Sequence, residues 1–106
     1  MARVVAISTD LLLGSKVEGM LKAAGHEVTL APSLPEQLKD VDLLVADLDA
    51  EGPAALANLD IPVLGYYSHV NVETKKAAEA AGIDLAVPRS RMARELPTLA
   101  AGLLDV

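Results

Sequence analysis

Several short apolar runs of this sequence end at side chains that could take part in chemistry. Residues 4–7 lead to two hydroxyls and an acid, and residues 41–46 lead to Asp47. Residues 61–66 are followed by a tyrosine and a serine. Residues 85–87 are followed by Pro88 and then by an arginine. The candidate site residues are Ser8, Thr9, Asp10, Asp47, Tyr67, Ser68 and Arg89. Such a set could accept a phosphoryl group, hold a divalent cation or bind an anion.

Each of these residues also has an ordinary structural interpretation. Asp47 is a phosphoacceptor candidate, but an aspartate at the end of a strand can equally cap the next turn or pair with Arg89. Asp10 occupies a position typical of a helix N-cap, which is a commoner role than metal ligation. Ser8 and Thr9 precede a predicted helix, whose N-terminus attracts anions, but no glycine-rich turn accompanies them. The residue types therefore leave both interpretations open.

The other polar candidates carry weaker signals. Asp49 and Glu51 follow Asp47 in a predicted loop, and we interpret them as solvent-facing acids. His26 and His69 have no partner motif that would indicate catalysis. Arginines cluster near the C-terminus at positions 89, 91 and 94, which is more typical of a solvated face than of a binding patch.

Composition limits the class of protein. A chain of 106 residues has room for one core, so residues 1–106 are interpreted as a single domain. Hydrophobic residues make up 52% but aromatics only 2%, so the core must be aliphatic. Of the two tyrosines, Tyr66 and Tyr67, we expect one inside and one at the strand-end cleft or a partner surface, with simple core packing of the second as the alternative. The net charge of −6 disfavours nucleic-acid binding.

Cysteine and membrane signals are missing from the sequence. Without cysteine there can be no disulfide, thiol catalysis or thiolate-bound metal. No apolar stretch approaches the roughly 20 residues that a membrane span needs, and no signal-peptide pattern begins the chain. We therefore expect a cytoplasmic protein that does not contact a membrane.

Apolar runs alternate with amphipathic segments along the chain. The runs predict five strands, at residues 4–7, 27–31, 41–46, 61–66 and 85–87. The intervening segments predict five helices, at 10–24, 35–39, 52–59, 71–81 and 91–104. Asp10 and Asn71 are expected to cap two of them, and Pro97 is expected to kink or restart the last. This alternation predicts an α/β fold with a parallel sheet covered on both faces.

Over nearly its full length, the chain resembles the receiver domain of two-component response regulators, a CheY-like domain. Residues 41–48 resemble the third strand of that family, with Asp47 at the phosphoacceptor position. Residues 61–64 resemble the fourth strand, and residues 79–84 resemble the turn into the fifth. The pair Glu95-Leu96 matches the last helix. The resemblance implies a flavodoxin-like, doubly wound sheet of five parallel strands in the order 2-1-3-4-5.

The residues at the family's metal-binding positions depart from its pattern. Receivers carry two acids after the first strand, and these positions fall on Ser8 and Thr9, with Asp10 one place later. Mg²⁺ prefers carboxylate ligands, so Asp47 is left without the partners that phosphoryl transfer would need. No metal site and no cofactor are therefore expected, and Mg²⁺ is implied only if Asp47 is phosphorylated.

Two more positions differ from the family. The small hydroxyl after the fourth strand aligns with Tyr67, although a one-residue bulge would place Ser68 there. The lysine after the fifth strand aligns with Arg89, whose planar fork does not reproduce a compact ammonium. The stretch from Asp47 to Ile61 is shorter than in the family, which predicts a shortened third helix.

Our first functional hypothesis is a degenerate receiver, or pseudo-receiver. It would be a non-enzymatic signalling module whose last two helices and fifth strand, including Arg89 and Arg91, contact a protein partner. That partner would be a histidine kinase, a separate output protein or a second copy of the chain. One alternative is a functional single-domain response regulator, phosphorylated on Asp47 in a two-component phosphorelay. The other is a flavodoxin-like module that binds a nucleotide or another small ligand.

Overall fold

Five parallel strands form the centre of the domain. The computed structural model describes residues 2–50, 52–57, 59–68 and 72–104. The strands are β1 (Arg3–Ile7), β2 (Glu27–Ala31), β3 (Leu43–Asp47), β4 (Val63–Tyr67) and β5 (Leu85–Pro88). Their order in the sheet is β2-β1-β3-β4-β5. This order confirms the predicted flavodoxin-like fold.

Helices cover both faces of the sheet, but fewer are present than the sequence pattern predicts. The described residues contain α1 (Leu11–Ala23), α2 (Val72–Ala80) and α3 (Arg89–Leu104). A single 3₁₀ turn at Pro53–Leu56 replaces the predicted helix at 52–59. The expectation of five helices is therefore wrong. The predicted cap Asn71, together with His69 and Glu51, lies outside the described residues.

The predicted helix at 35–39 is absent, and an irregular segment joins β2 to β3. So short a segment gains too few hydrogen bonds to offset helix nucleation. Instead, Leu34, Leu38 and Val41 pack individually against the core. The edge of the sheet carries the exposed residues Thr29 and Glu27, which suit a surface that no helix covers.

The two long helices begin and end for identifiable reasons. The Asp10 side chain accepts hydrogen bonds from the amides of Leu12 and Leu13, at 3.0 and 3.1 Å, which confirms it as the N-cap of α1. Beyond α1, Gly25 adopts a φ of 95°, a value that glycine tolerates best. Helix α3 begins at Arg89, two residues earlier than predicted, and continues through Pro97.

The continuity of α3 follows from its packing. Pro97 removes one intrahelical hydrogen bond, a change that destabilises a helix interior by about 3 kcal/mol. Met92, Leu96 and Ala100 recur at four-residue spacing and are fully buried against the sheet. Burying one large side chain contributes about 1.5–3 kcal/mol, so the apolar stripe offsets the loss.

The sheet divides the core into two largely aliphatic layers. The first layer lies beneath α1 and α3 and includes Val4, Leu43 and Leu64. The second lies beneath α2 and the 3₁₀ turn and includes Val5, Leu44 and Val63. Because successive strand residues point to opposite faces, the unalternating apolar runs are explained by burial on both sides. The described helices are too short or too polar to span a bilayer.

Gly65 of β4 is required by close packing, and its substitution gives a first prediction. A Cβ at Gly65 would lie 2.6 Å from Cδ1 and 2.8 Å from Cγ of the buried Leu48. We expect Gly65→Ala to lower the free energy of unfolding by about 1–3 kcal/mol in urea denaturation, because Leu48 must move within a filled core.

The matched control is Gly19→Ala in α1. A Cβ at Gly19 meets no atom within 4 Å, so alanine should stabilise the helix by about 0.5–1 kcal/mol. Equal effects from the two substitutions would contradict the packing argument.

Candidate functional site

Strand register places a polar group at the end of four neighbouring strands, on the face that carries α1 and α3. Beneath α1 and α3, strands β1, β3, β4 and β5 contribute Ala6, Val45, Leu64 and Val87 to the core. Two residues further along, the same alternation reaches Ser8, Asp47, Tyr66 and Arg89. Asp47 and Tyr66 are register partners in the sheet. The carboxyl edge of the sheet is therefore polar on this face.

Asp47 is a buried carboxylate whose two oxygens both have partners. The residue is only 2% exposed. Its Oδ1 accepts a hydrogen bond from the Asp49 amide at 3.0 Å, and its Oδ2 accepts one from Arg89 Nη2 at 3.1 Å. Both structural roles that the sequence left open for this residue, capping of the following turn and pairing with Arg89, are thus present together.

Asp49 is exposed, as the sequence predicts, but its side chain also belongs to the same cluster. Its Oδ2 accepts a hydrogen bond from the Ser68 amide at 2.8 Å and lies 3.8 Å from Arg89 Nη2. The Arg89 guanidinium therefore stands close to two carboxylates. Sequence reasoning missed Asp49 because it lies beyond the strand, where alternation no longer predicts direction.

The residues after β1 are occupied in a local turn. Ser8 Oγ donates to the Asp10 carbonyl and accepts from the Asp10 amide, both at 3.1 Å. Asp10 directs Oδ1 at the first amides of α1. Thr9 is exposed. These residues surround the end of the strand, but the contacts they make are those of a helix start.

Both tyrosines are buried, so the expectation that one faces a cleft or a partner surface is wrong. Tyr66 is 1% and Tyr67 4% exposed, and they lie in opposite layers of the core. Burial raises the pKa of Tyr66 to about 12, although hydrogen bonding to Ser8 acts against this rise. The charge of Asp47 raises this pKa further and that of Arg89 lowers it. Tyr66 is therefore a neutral phenol beside the cluster.

The donor set at this edge does not fit the Mg²⁺ ion that phosphoryl transfer to an aspartate requires. Mg²⁺ needs several oxygen ligands in near-octahedral geometry. Here Ser8 and Asp10 are engaged in the turn and helix cap, and Arg89 lies against Asp47. Within the described ranges, no group of three or more acidic or histidine side chains could hold a metal ion.

Several solved structures of response regulators and receiver domains share this fold. A response regulator receiver domain protein from Clostridium thermocellum matches with a TM-score of 0.85 and 15% identity, over 99% of this chain and 95% of its own. A putative response regulator from Chloroflexus aurantiacus matches at 0.83 and 20%, over 99% and 98%. The ChxR receiver domain from Chlamydia trachomatis matches at 0.74 and 18%, over 98% and 96%.

These likenesses establish the fold of this chain. No protein-family model and no curated protein sequence matches it. The chain has the receiver fold of response regulators along almost its whole length, and the resemblance noted in the sequence is confirmed at that level.

The ion pair between Asp47 and Arg89 should contribute to stability. We expect Arg89→Gln to lower the free energy of unfolding by about 3 kcal/mol, because it leaves a buried carboxylate unpaired. This value is at the low end for such pairs because the Arg89 side chain is 39% exposed. Adding Asp47→Asn should recover part of the loss, as a double-mutant cycle in urea would measure.

Arg91→Gln provides the control for this cycle. Arg91 pairs with Glu95 at 3.5 Å, and both side chains are largely exposed. Its loss should change stability by less than about 0.5 kcal/mol. An Arg89→Gln variant as stable as the wild type would show that the buried pair contributes nothing.

Tyr66 should titrate at unusually high pH. The variant Tyr67→Phe leaves Tyr66 as the only aromatic residue that absorbs as phenolate. Its absorbance near 295 nm should rise with a midpoint at a pH of about 12 in the folded domain. In denaturant the midpoint should fall to about 10.

The same shift predicts how stability changes in alkali. Between pH 10 and 12 the unfolded chain has lost the Tyr66 proton while the folded domain retains it, so stability falls as pH rises. The loss should approach about 2–3 kcal/mol, since each pKa unit corresponds to about 1.4 kcal/mol. Tyr66→Phe should remove this part of the alkaline dependence. A folded-state midpoint near 10 would contradict the burial of the hydroxyl.

Proposed function

We propose that this domain is a regulatory module of the receiver type, acting through contact with another protein and not through metal-dependent phosphorylation of Asp47. The observation that carries the proposal is the ion pair between Asp47 and Arg89. The carboxylate that would receive a phosphoryl group is 3% exposed and bonded to a guanidinium at 3.1 Å. A phosphoryl group added at Oδ2 would have to displace Arg89, and one added at Oδ1 would have to displace the Asp49 amide.

The charges around Asp47 support the same conclusion. Phosphoryl transfer brings several negative oxygens to the acceptor and needs a divalent cation to neutralise them. Ser8 and Thr9 carry no charge, and Asp10 caps α1. Arginine supplies positive charge at the site. Unlike a metal ion, however, a guanidinium cannot coordinate phosphoryl oxygens and a water molecule at the same time.

The proposed contact surface is formed by β5 and the helices beside it. Arg91 and Arg94 lie on the exposed side of α3, where both are near Glu95. The proposed partner is a histidine kinase, a separate output protein or a second copy of the chain. This part of the proposal rests on analogy with other proteins of the same fold. A cytoplasmic location and the absence of enzymatic activity remain predictions.

The decisive experiment measures intact mass after incubation with MgCl₂ and a small acyl phosphate. We expect no phosphoryl addition to the wild-type chain, with a phosphorylatable receiver domain treated in parallel as the positive control. The Asp47→Asn variant identifies the site of any addition. A single phosphoryl group on the wild type that is absent from Asp47→Asn would establish the alternative, a working response regulator.

A further inference from the structure

The loops after β3 and β4 meet the start of α3 around the Arg89 side chain. Asp49 lies in the loop after β3, Ser68 directly follows β4, and Arg89 is the first residue of α3. The Ser68 amide donates to Asp49 Oδ2 at 2.8 Å, and that oxygen lies 3.8 Å from Arg89 Nη2. Arg89 Nη2 also donates to Asp47 Oδ2 at 3.1 Å. The Asp49 amide donates to the second oxygen of Asp47 at 3.0 Å, which completes a ring of contacts.

The ring depends on a positive charge between its two carboxylates. Asp47 and Asp49 approach the same guanidinium nitrogen, and without it their negative charges would repel each other beside the buried carboxylate of Asp47. The position of Arg89 is not favourable for every atom. Its Nε is buried and has no hydrogen-bond partner among the described residues.

Other charges reach the ring only at a distance. The charge of Asp10 raises the pKa of Tyr66, as that of Asp47 does. The Asp10 carboxylate itself accepts hydrogen bonds from the first amides of α1 and not from Arg89. Arg91 and Arg94 point at Glu95 on α3. In the described part of the chain, Arg89 is thus the cation that forms ion pairs with both Asp47 and Asp49.

We propose that Arg89 is an internal counter-ion that holds the loops after β3 and β4 against the start of α3, so that the carboxyl edge of the sheet is closed without any bound cation or phosphoryl group. Arg89 acts here as a positioning residue. The inference goes beyond the proposed function, because it concerns what fixes the edge and holds whether or not a partner binds.

Amide hydrogen exchange at Asp49 and Ser68, followed by NMR under native conditions, tests this inference. Both amides donate to ring carboxylates, so release of the ring should expose them to water. In Arg89→Gln their exchange should be faster by about 10-fold or more, the change expected when a hydrogen bond to a charged group is lost. Unchanged exchange at both amides would overturn the proposal.

A destabilised control separates local release from general loss of stability. Val17 is a buried residue of α1 that contributes to the first core layer and is not one of the ring residues. Val17→Ala should lower global stability and leave exchange at the Asp49 and Ser68 amides within about 2-fold of the wild type, since these loop amides exchange by local opening. Equal acceleration in Val17→Ala and Arg89→Gln would overturn the proposal.

Two further measurements keep the result interpretable. If Arg89→Gln alone fails to fold, the same substitution in an Asp47→Asn background avoids an unpaired buried carboxylate, and faster exchange at Ser68 is still expected.

In the wild type, millimolar MgCl₂ should leave both exchange rates equal to those in NaCl of the same ionic strength. A slowing specific to Mg²⁺ would overturn the proposal, because the carboxylates would then be open to an external cation.

Failure of this inference is distinguishable from failure of the proposed function. The exchange experiment contains no phosphodonor, and the mass experiment does not depend on how the loops are held. Phosphorylation of Asp47 together with fast exchange only in Arg89→Gln would refute the proposed function and support the counter-ion.

Discussion

A carboxylate buried at the end of the central strand has to be compensated, and the polar edge of this domain is arranged around that requirement. Asp47 closes β3, whose residues are all buried. Its charge is matched by Arg89, and its remaining oxygen is satisfied by a backbone amide. Removing one partner of such a buried pair destabilises the fold strongly, because it leaves an unpaired charge. The intact pair, however, adds little stability compared with apolar residues in the same place. The pair therefore fixes the arrangement without being a large source of stability.

The need to compensate the charge of Asp47 also bears on the residues that follow the neighbouring strands. Ser8 and Thr9 follow β1 and carry no charge, so they add nothing to the negative charge of Asp47 and Asp49, which Arg89 partly offsets. The hydroxyls and the arginine are thus parts of one electrostatic solution.

The sequence was sufficient to predict the fold and the edge on which the site lies. Runs buried on both faces, separated by segments ending at Gly25 and Gly82, specify five parallel strands because few other arrangements bury such runs. It was insufficient for the segment between β2 and β3, where a helical pattern of five residues could not offset nucleation. The role of Asp49 could not be predicted, because the direction of a loop side chain depends on contacts between distant parts of the chain. The choice between two adjacent tyrosines needed the register of β4, which places Tyr66 rather than Tyr67 beside Asp47.

Arg89 has a second position in the architecture, and it connects the site to the surface. The residue is the cation of the strand-end cluster and also the first residue of α3, the longest helix described. Three turns of that helix are anchored in the core by Met92, Leu96 and Ala100, and its exposed side carries Arg91 and Arg94. A displacement of Arg89 from Asp47 would therefore have to be accommodated within the first turn of α3, because the later turns are fixed by close packing. Arg89, whose guanidinium pairs with Asp47, is thus part of α3, the helix that presents the proposed contact surface. The ion pair therefore determines the local conformation where the strand-end cluster meets that helix.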